Sequence, residues 1–270
     1  TDSDLEENQT IPATTSSEID NKAPSTPGSL SFNDHSKNSI KLNFGATSSD
    51  LSFSEYVIYW KTYDGTDPTE LDNAHSSSTD INLSSVTFNG SSSTTISGLL
   101  ENTQYSFSIW AYDDFGHKAS SSRIDAYTNS VPYGYFVSAS QRIDGTGLVD
   151  ISIDVNDHDN DGARARIEYE EGSACQFLSS GDPSLDETQV NIQADYGVPV
   201  IYNSEFYQIG SSSGYILTPV TNTVAFDWFG QTDLPNGDNT YCLKLSLTDH
   251  IDAQNEYATT TLSIDNVSQS

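Results

Sequence analysis

The sequence predicts an all-β protein built as two sandwiches in tandem. Three observations carry this. Apolar residues recur at every second position in short segments, as in Tyr105, Phe107, Ile109 and Ala111, or Leu243, Leu245 and Leu247. That period buries one face of a strand and wets the other. Gly, Asn, Asp and Ser separate the segments, and no amphipathic helix of useful length interrupts them. At 270 residues the chain is long enough for two domains of ordinary size.

The elements follow in order. Residues 1–22 are acidic and rich in Ser and Thr, with Leu5, Ile11 and Ile19 the only large apolar side chains. Such a segment cannot bury a core. It is expected to be disordered, or to donate a strand to the sheet edge of another subunit. The first domain, residues 23–129, begins at Ala23-Pro24. Leu30 and Phe32 open its first strand; Ile40, Leu42 and Phe44 alternate in the second; Tyr56–Trp60 form the third. A Ser/Asp-rich excursion from about Tyr63 to Ser85 is longer than an ordinary hairpin loop. Val86–Phe88 and Thr95–Leu99 read as strands. They lead into a Leu99-x-x-x-Thr103-x-Tyr105 corner, an Asp-Asp-Phe-Gly turn at 113–116, and a last strand ending at Thr128.

After a short junction, residues 130–270 form the second domain. Its strand signals are Tyr135–Ser140, Leu148–Val155, Ala163–Tyr169, Thr223–Trp228, Thr240–Thr248 and Tyr257–Ile264. The stretch 172–222 has no readable pattern.

The alternation from Tyr105 to Ala111 behind that corner resembles the second half of a fibronectin type III module, over about residues 23–128. The resemblance implies an immunoglobulin-like sandwich in which the Tyr105 hydroxyl turns back onto upstream backbone. It departs at Phe44, where the family usually has Trp. It implies that Tyr56, Ile58 and Trp60 face inward, and that Val57, Tyr59 and Trp110 face outward as a partner-binding patch for sugars or another subunit. The run 236–249, Asn-Gly-Asp-Asn-Thr-Tyr-Cys-Leu-Lys-Leu-Ser-Leu-Thr-Asp, resembles bacterial immunoglobulin-like surface modules of the cadherin or polycystic-kidney-disease type. So does the acidic turn 154–162. This second resemblance is looser.

Asp157, Asp159, Asp161, Gly162 and Glu168 fit the calcium-loop spacing D-x-[DN]-x-[DN]-G-x5-E. Calcium takes six to eight hard oxygens, and alternate acids in a tight loop aim carboxylates at one centre. The flanks here are strands rather than helices, and Glu168 falls on the face opposite Ala165 and Ile167. In the implied topology the later loop, with Asp249, His250 and Asp252, lies at the same end and faces the first domain. There Asp34 and Glu101 are expected to approach. Structural Ca2+ is therefore the expected cofactor, with Asp157, Asp159, Asp161, Asp249, Asp252 and Glu168 as its candidate ligands. The same topology puts Cys175 and Cys242 at the far end of neighbouring antiparallel strands, where a disulfide is expected.

Charge bounds the partners. Asp plus Glu total 39 against 10 Lys plus Arg, a net charge of −29. Such a chain repels nucleic acid and anionic membrane surfaces. No run of 18 apolar residues spans a membrane. The cysteines include no Cys-x-x-Cys, and with a Ser/Thr/Asn-rich composition they point to an oxidising, extracellular or cell-surface setting. The chain, which contains no Met, is expected to be a mature or excised piece of a secreted precursor. Asn8, Asn82, Asn89 and Asn266 sit in Asn-x-Ser/Thr sequons and are candidate glycosylation sites. No nucleophile elbow, phosphate-cradling loop or cleft with paired carboxylates is readable, so no enzyme is expected. The sequence reading is a structural subunit or segment of an extracellular surface protein, stalk or filament. Its modules serve as rigid spacers touching copies of themselves or neighbouring modules. The alternative is an adhesin or carbohydrate-binding accessory module.

Overall fold

A computed structural model describes residues 20–188, 192–210 and 214–267. The expected strand-donating segment with Leu5, Asn8, Ile11 and Ile19 falls, up to residue 19, outside them. Two hydrophobic cores form that share no residue.

In the first domain, β1 (Ser31–Ser36), β2 (Ser39–Asn43) and β5 (Ser93–Ser97) make one sheet. The other contains β4 (Asn73–His75), β3 (Phe53–Thr62), β6 (Gln104–Asp113) and β7 (Lys118–Ser120), with β8 (Ile124–Tyr127) also paired to β6. Ile40, Leu42, Tyr56, Ile58, Phe107, Ile109 and Ala111 pack between them at 0% exposure, the alternating set that period two selects. At the corner, Leu100 N donates to Tyr105 Oη at 2.8 Å.

Three local expectations are corrected. Val86–Phe88 is not a strand: Phe88 opens a short 3-10 turn and buries its ring against Phe44 and Tyr56, at 4.1 and 4.4 Å between ring centres. The excursion folds back, adding β4 to the sheet edge and inserting Leu83 fully into the core. Val57 is buried, not displayed, because it stands directly opposite Trp110 in the β3–β6 register. Directly opposed side chains in antiparallel strands pack on one another.

The second domain pairs β9 (Tyr133–Gln141), β10 (Val149–Asn156), β13 (Asn222–Trp228) and β12 (Gln193–Ala194) in one sheet. The other holds β11 (Arg164–Glu171), β14 (Asp238–Thr248) and β15 (Ala258–Asp265). Val149, Ile151, Ile153 and Val155 face Ile167, Leu243, Leu245 and Leu247 across the core. The unpatterned stretch also feeds this core. Ile201, Ile209 and Ile216 are fully buried, fastened by isolated bridges such as Ala163–Ile216 and Ala165–Ile209. Cys175 and Cys242 form a disulfide with 5.5 Å between their Cα atoms. Closing a loop with a sequence separation of 67 contributes roughly 4 kcal/mol in the chain-entropy account.

Candidate functional site at the domain junction

Five segments meet between the domains: the β1–β2 turn, the β5–β6 corner, the linker after β8, the β10–β11 loop and the β14–β15 loop. The linker is the unusual part. Thr128, Asn129, Ser130 and Val131 are all buried, with Asn129 at 0% exposure. Buried backbone and amides need partners. The first domain supplies the backbone ones, as in Asn129 N to Ser36 O at 3.1 Å and Thr128 N to Thr103 O at 3.1 Å. Acids of the second domain supply three more. Asn129 Nδ2 donates to Asp249 Oδ2 at 2.7 Å and to Asp252 Oδ2 at 3.2 Å. Ser130 N donates to Asp159 Oδ2 at 2.9 Å. From the first domain, Lys37 N reaches Asp252 Oδ2 at 2.6 Å, and Glu101 accepts from Val131 N at 3.1 Å and from Asn255 Nδ2 at 2.8 Å. Lys37 Nζ meets Asn255 Oδ1 at 3.0 Å rather than an acid.

Beneath this layer, carboxylate oxygens of Asp157, Asp161 and Asp249 all lie within 4.8 Å of one another. Gly162, at φ +85, makes the sharp turn that brings the loop round. Asp249 fixes its own loop, its Oδ1 accepting from Ile251 N and Asp252 N, both at 2.7 Å. Asp157 has no such support. It is 2% exposed, and neither of its oxygens accepts a hydrogen bond from a donor among the described residues. Asp161 Oδ1 and Asn129 Oδ1 are likewise buried without a partner. Burial, then a hydrogen bond that the protonated carboxyl gives to Asp159, and then the charges of Asp159, Asp161 and Asp249 push the Asp157 carboxyl up to about 9. Asp161 rises to about 6, through burial and then Asp159 and Asp249. Oxygen ligands this close, hard and poorly supplied with donors suit a divalent cation.

The structure distributes the six expected ligands unequally. Asp157, Asp161 and Asp249 come together. Asp159 and Asp252 sit beside them with an oxygen committed to backbone donors of Ser130 and Lys37. Glu168 is elsewhere, and its place as a ligand is corrected. It is buried on β11 beneath Lys244 Nζ at 2.5 Å, Ser180 Oγ at 2.8 Å and Arg166 Nη2 at 3.4 Å. Burial alone would raise its pKa, but the Lys244 and Ser180 hydrogen bonds and the Arg166 charge hold it below the usual value. Asp34 also stays out, bonded to His35 N. Asn129 and Lys37 were missed by sequence reasoning, since nothing local marks them. A second acidic group, Asp20, Asp50 and Asp113, was missed as well. There Asp113 already accepts from Phe115 N, His117 N and His117 Nδ1.

The outward aromatics of the first domain form a closed cluster. Tyr59 and Trp110 pack edge to face at 5.5 Å, Tyr59 Oη and Tyr112 Oη lie 3.1 Å apart, and Lys118 Nζ sits 5.4 Å over the Trp110 ring. Glu70, from the excursion, joins Tyr112 and Lys118. Among the sequons, Asn82 lies in a 3-10 turn. Asn89 Nδ2 donates to Ile81 O. Asn266 is buried, with Nδ2 donating to Gly230 O and Leu234 O, so its nitrogen is not accessible for a glycan in the folded domain. Asn8 lies outside the described residues.

The fibronectin type III domain pattern matches residues 25–127. Residues 25–127 are a fibronectin type III domain. Among solved structures, the chain is similar to chitinase ChiA74 from Bacillus thuringiensis, with 17% identity and a TM-score of 0.30 over 78% of this chain; it spans 28% of that protein. It is similar to the FN1–FN3 domains of chicken CNTN1, with 12% identity and a TM-score of 0.32, covering 90% of this chain and 68% of that one. A two-domain fibronectin type III segment of chicken tenascin aligns at 14% identity and a TM-score of 0.30, over 88% and 98% of the two chains. No curated protein matches the sequence.

Proposed function

We propose that the chain is a rigid, non-catalytic spacer pair in an extracellular surface protein, stalk or filament, touching copies of itself or neighbouring modules. The observation that carries the reading is the linker. A hinge needs exposed backbone with few contacts, whereas residues 128–131 are buried and pinned from both sides. Hydrogen bonds to charged groups contribute about 1.5–3 kcal/mol each, so several together hold one interdomain angle. A fibronectin type III domain and a disulfide suit an oxidising, extracellular setting. No helix among the described residues is long and apolar enough to cross a membrane. The alternative, a glycan-binding accessory module resting on Tyr59 and Trp110, is weakened by Lys118 covering the indole.

Small-angle scattering tests the spacer. The native chain is expected to fit one interdomain geometry, and Asn129→Ala with Asp252→Ala to broaden the distance distribution without lowering β content. A native chain already as broad as the double variant would end the rigid reading.

A further inference from the structure

The second domain contains a carboxylate that its own fold does not explain. Asp157 is 2% exposed and neither oxygen meets a donor among the described residues. Removing an ionised carboxylate from water without a partner is among the most costly local arrangements in a fold. The neighbouring acids make it worse, since carboxylate oxygens of Asp157, Asp161 and Asp249 lie within 4.8 Å of one another. Asp249 is itself fully buried. Elsewhere in the chain, buried acids are supplied: Asp227 has Arg142 at 2.9 Å, and Asp113 has His117 at 2.8 Å. Among the described acids, Asp157 is the one with both oxygens buried and unpartnered, and it lies where three acids converge.

We infer that Asp157, Asp161 and Asp249 are the protein ligands of one calcium ion held within the second domain, and that this ion stiffens the junction through Asp249. The ligand atoms that close on one another are all carboxylate oxygens, with no His or Cys among them, which favours a hard cation. Calcium is favoured over magnesium because magnesium gives up its water reluctantly and demands a near-ideal octahedron, whereas Asp157 and Asp249 are buried. Asp159 and Asp252 are not ligands in this arrangement. Their oxygens hold Ser130 N and Lys37 N, so they belong to the linker. Asp249 stands in both sets, since its Oδ2 receives Asn129 Nδ2 at 2.7 Å. An ion that fixes Asp249 therefore fixes the acceptor on which the linker amide depends.

The binding half stands on the second domain alone; only the coupling half rests on the spacer reading. Calorimetry and scattering therefore fail separately. The intact chain, freed of metal with chelator, is titrated with calcium chloride and then, afresh, with magnesium chloride. Expected are about one calcium per chain with Kd at or below the millimolar range of extracellular sites, a Tm several degrees higher, and magnesium at least tenfold weaker. Asp161→Asn, at the partly exposed position, should fold and lose at least tenfold in calcium affinity. Asp252→Asn should keep affinity within about threefold while loosening the junction in scattering. No heat and no Tm change with calcium in the native chain overturns the site. Magnesium binding as tight as calcium overturns the assignment of the ion. Equal losses in Asp252→Asn and Asp161→Asn overturn the ligand set. Calcium binding that leaves scattering unchanged overturns the coupling and leaves the ion as a stabiliser of the second domain only.

Discussion

Glu168 and Asp157 are both buried acids of the second domain, at 6% and 2% exposure, and their surroundings are opposite. Glu168 lies on the outer face of β11, opposite Lys244 in the β11–β14 register, with Arg166 beside it. Its neighbours hold its pKa down. Asp157 lies in a loop whose other charges are acids, and its pKa is driven up. In sequence the two belong to a single motif with calcium-loop spacing. The difference shows that a spacing motif fixes how far apart ligands are along the chain. Strand phase decides where they point. Once residue 164 enters a strand, alternation carries Glu168 away from the loop and onto a face that already holds the cations.

The largest effect expected from this contrast is the loss of Glu168. Glu168→Ala leaves Lys244 and Arg166, each with only 17% of its side chain exposed, without their shared anion. Breaking a buried pair from one side costs about 3 kcal/mol, read as a lower urea midpoint at unchanged slope. A change below about 1 kcal/mol would mean that solvent already screens the pair.

Next in size is Asp157→Asn, and its sign is reversed. In chelator near neutrality the native chain must protonate this carboxyl in order to bury it, because its pKa is driven up to about 9. The substitution removes that cost and supplies an amide that can donate to Asp161 or Asp249. Stability should rise by about 1–2 kcal/mol, the scale of relieving an unsatisfied buried polar group. In calcium the same variant should be less stable than the native chain, because it has lost a ligand. A variant less stable than native in both conditions would mean that Asp157 has a favourable partner of its own, and the contrast with Glu168 would collapse.

Much of this was legible in the sequence, and the failures have identifiable causes. The alternation Val149, Ile151, Ile153, Val155 and Leu243, Leu245, Leu247 placed β10 and β14, because each strand has one buried face. Tyr105 announced its corner through Leu99 and Thr103. The stretch 172–222 was opaque because Ile201, Ile209 and Ile216 are buried singly, through isolated bridges, and so leave no period. Phe88 looked like a strand residue but has φ +52, and stacking on Phe44 fixes it there. Implied topology brought the loops of Asp157 and Asp249 to one end of the domain. It could not reveal Asn129 or Lys37, whose bonds to those loops cross more than a hundred positions of chain.

The smallest effect lies in acid, and its sign follows from the direction of the Glu168 shift. Its folded pKa is below its unfolded value, near 4.3 for an unperturbed glutamate. As pH falls the unfolded chain takes up that proton first. The stabilisation is therefore complete above the unfolded pKa and disappears as pH falls through the folded one. Glu168→Gln cannot lose it, since the amide does not titrate. The stability gap between the native chain and Glu168→Gln should be widest near neutrality and should narrow below about pH 4. Asp157, Asp161 and Asp249 are present in both chains, so their own titration cancels from the difference if the two sites are independent. Urea midpoints measured in chelator across that range give the gap directly. A gap that stays constant into acid would mean that Lys244 and Ser180 bind the amide as well as the carboxylate. The charge of Glu168 would then not be what sets it apart from Asp157.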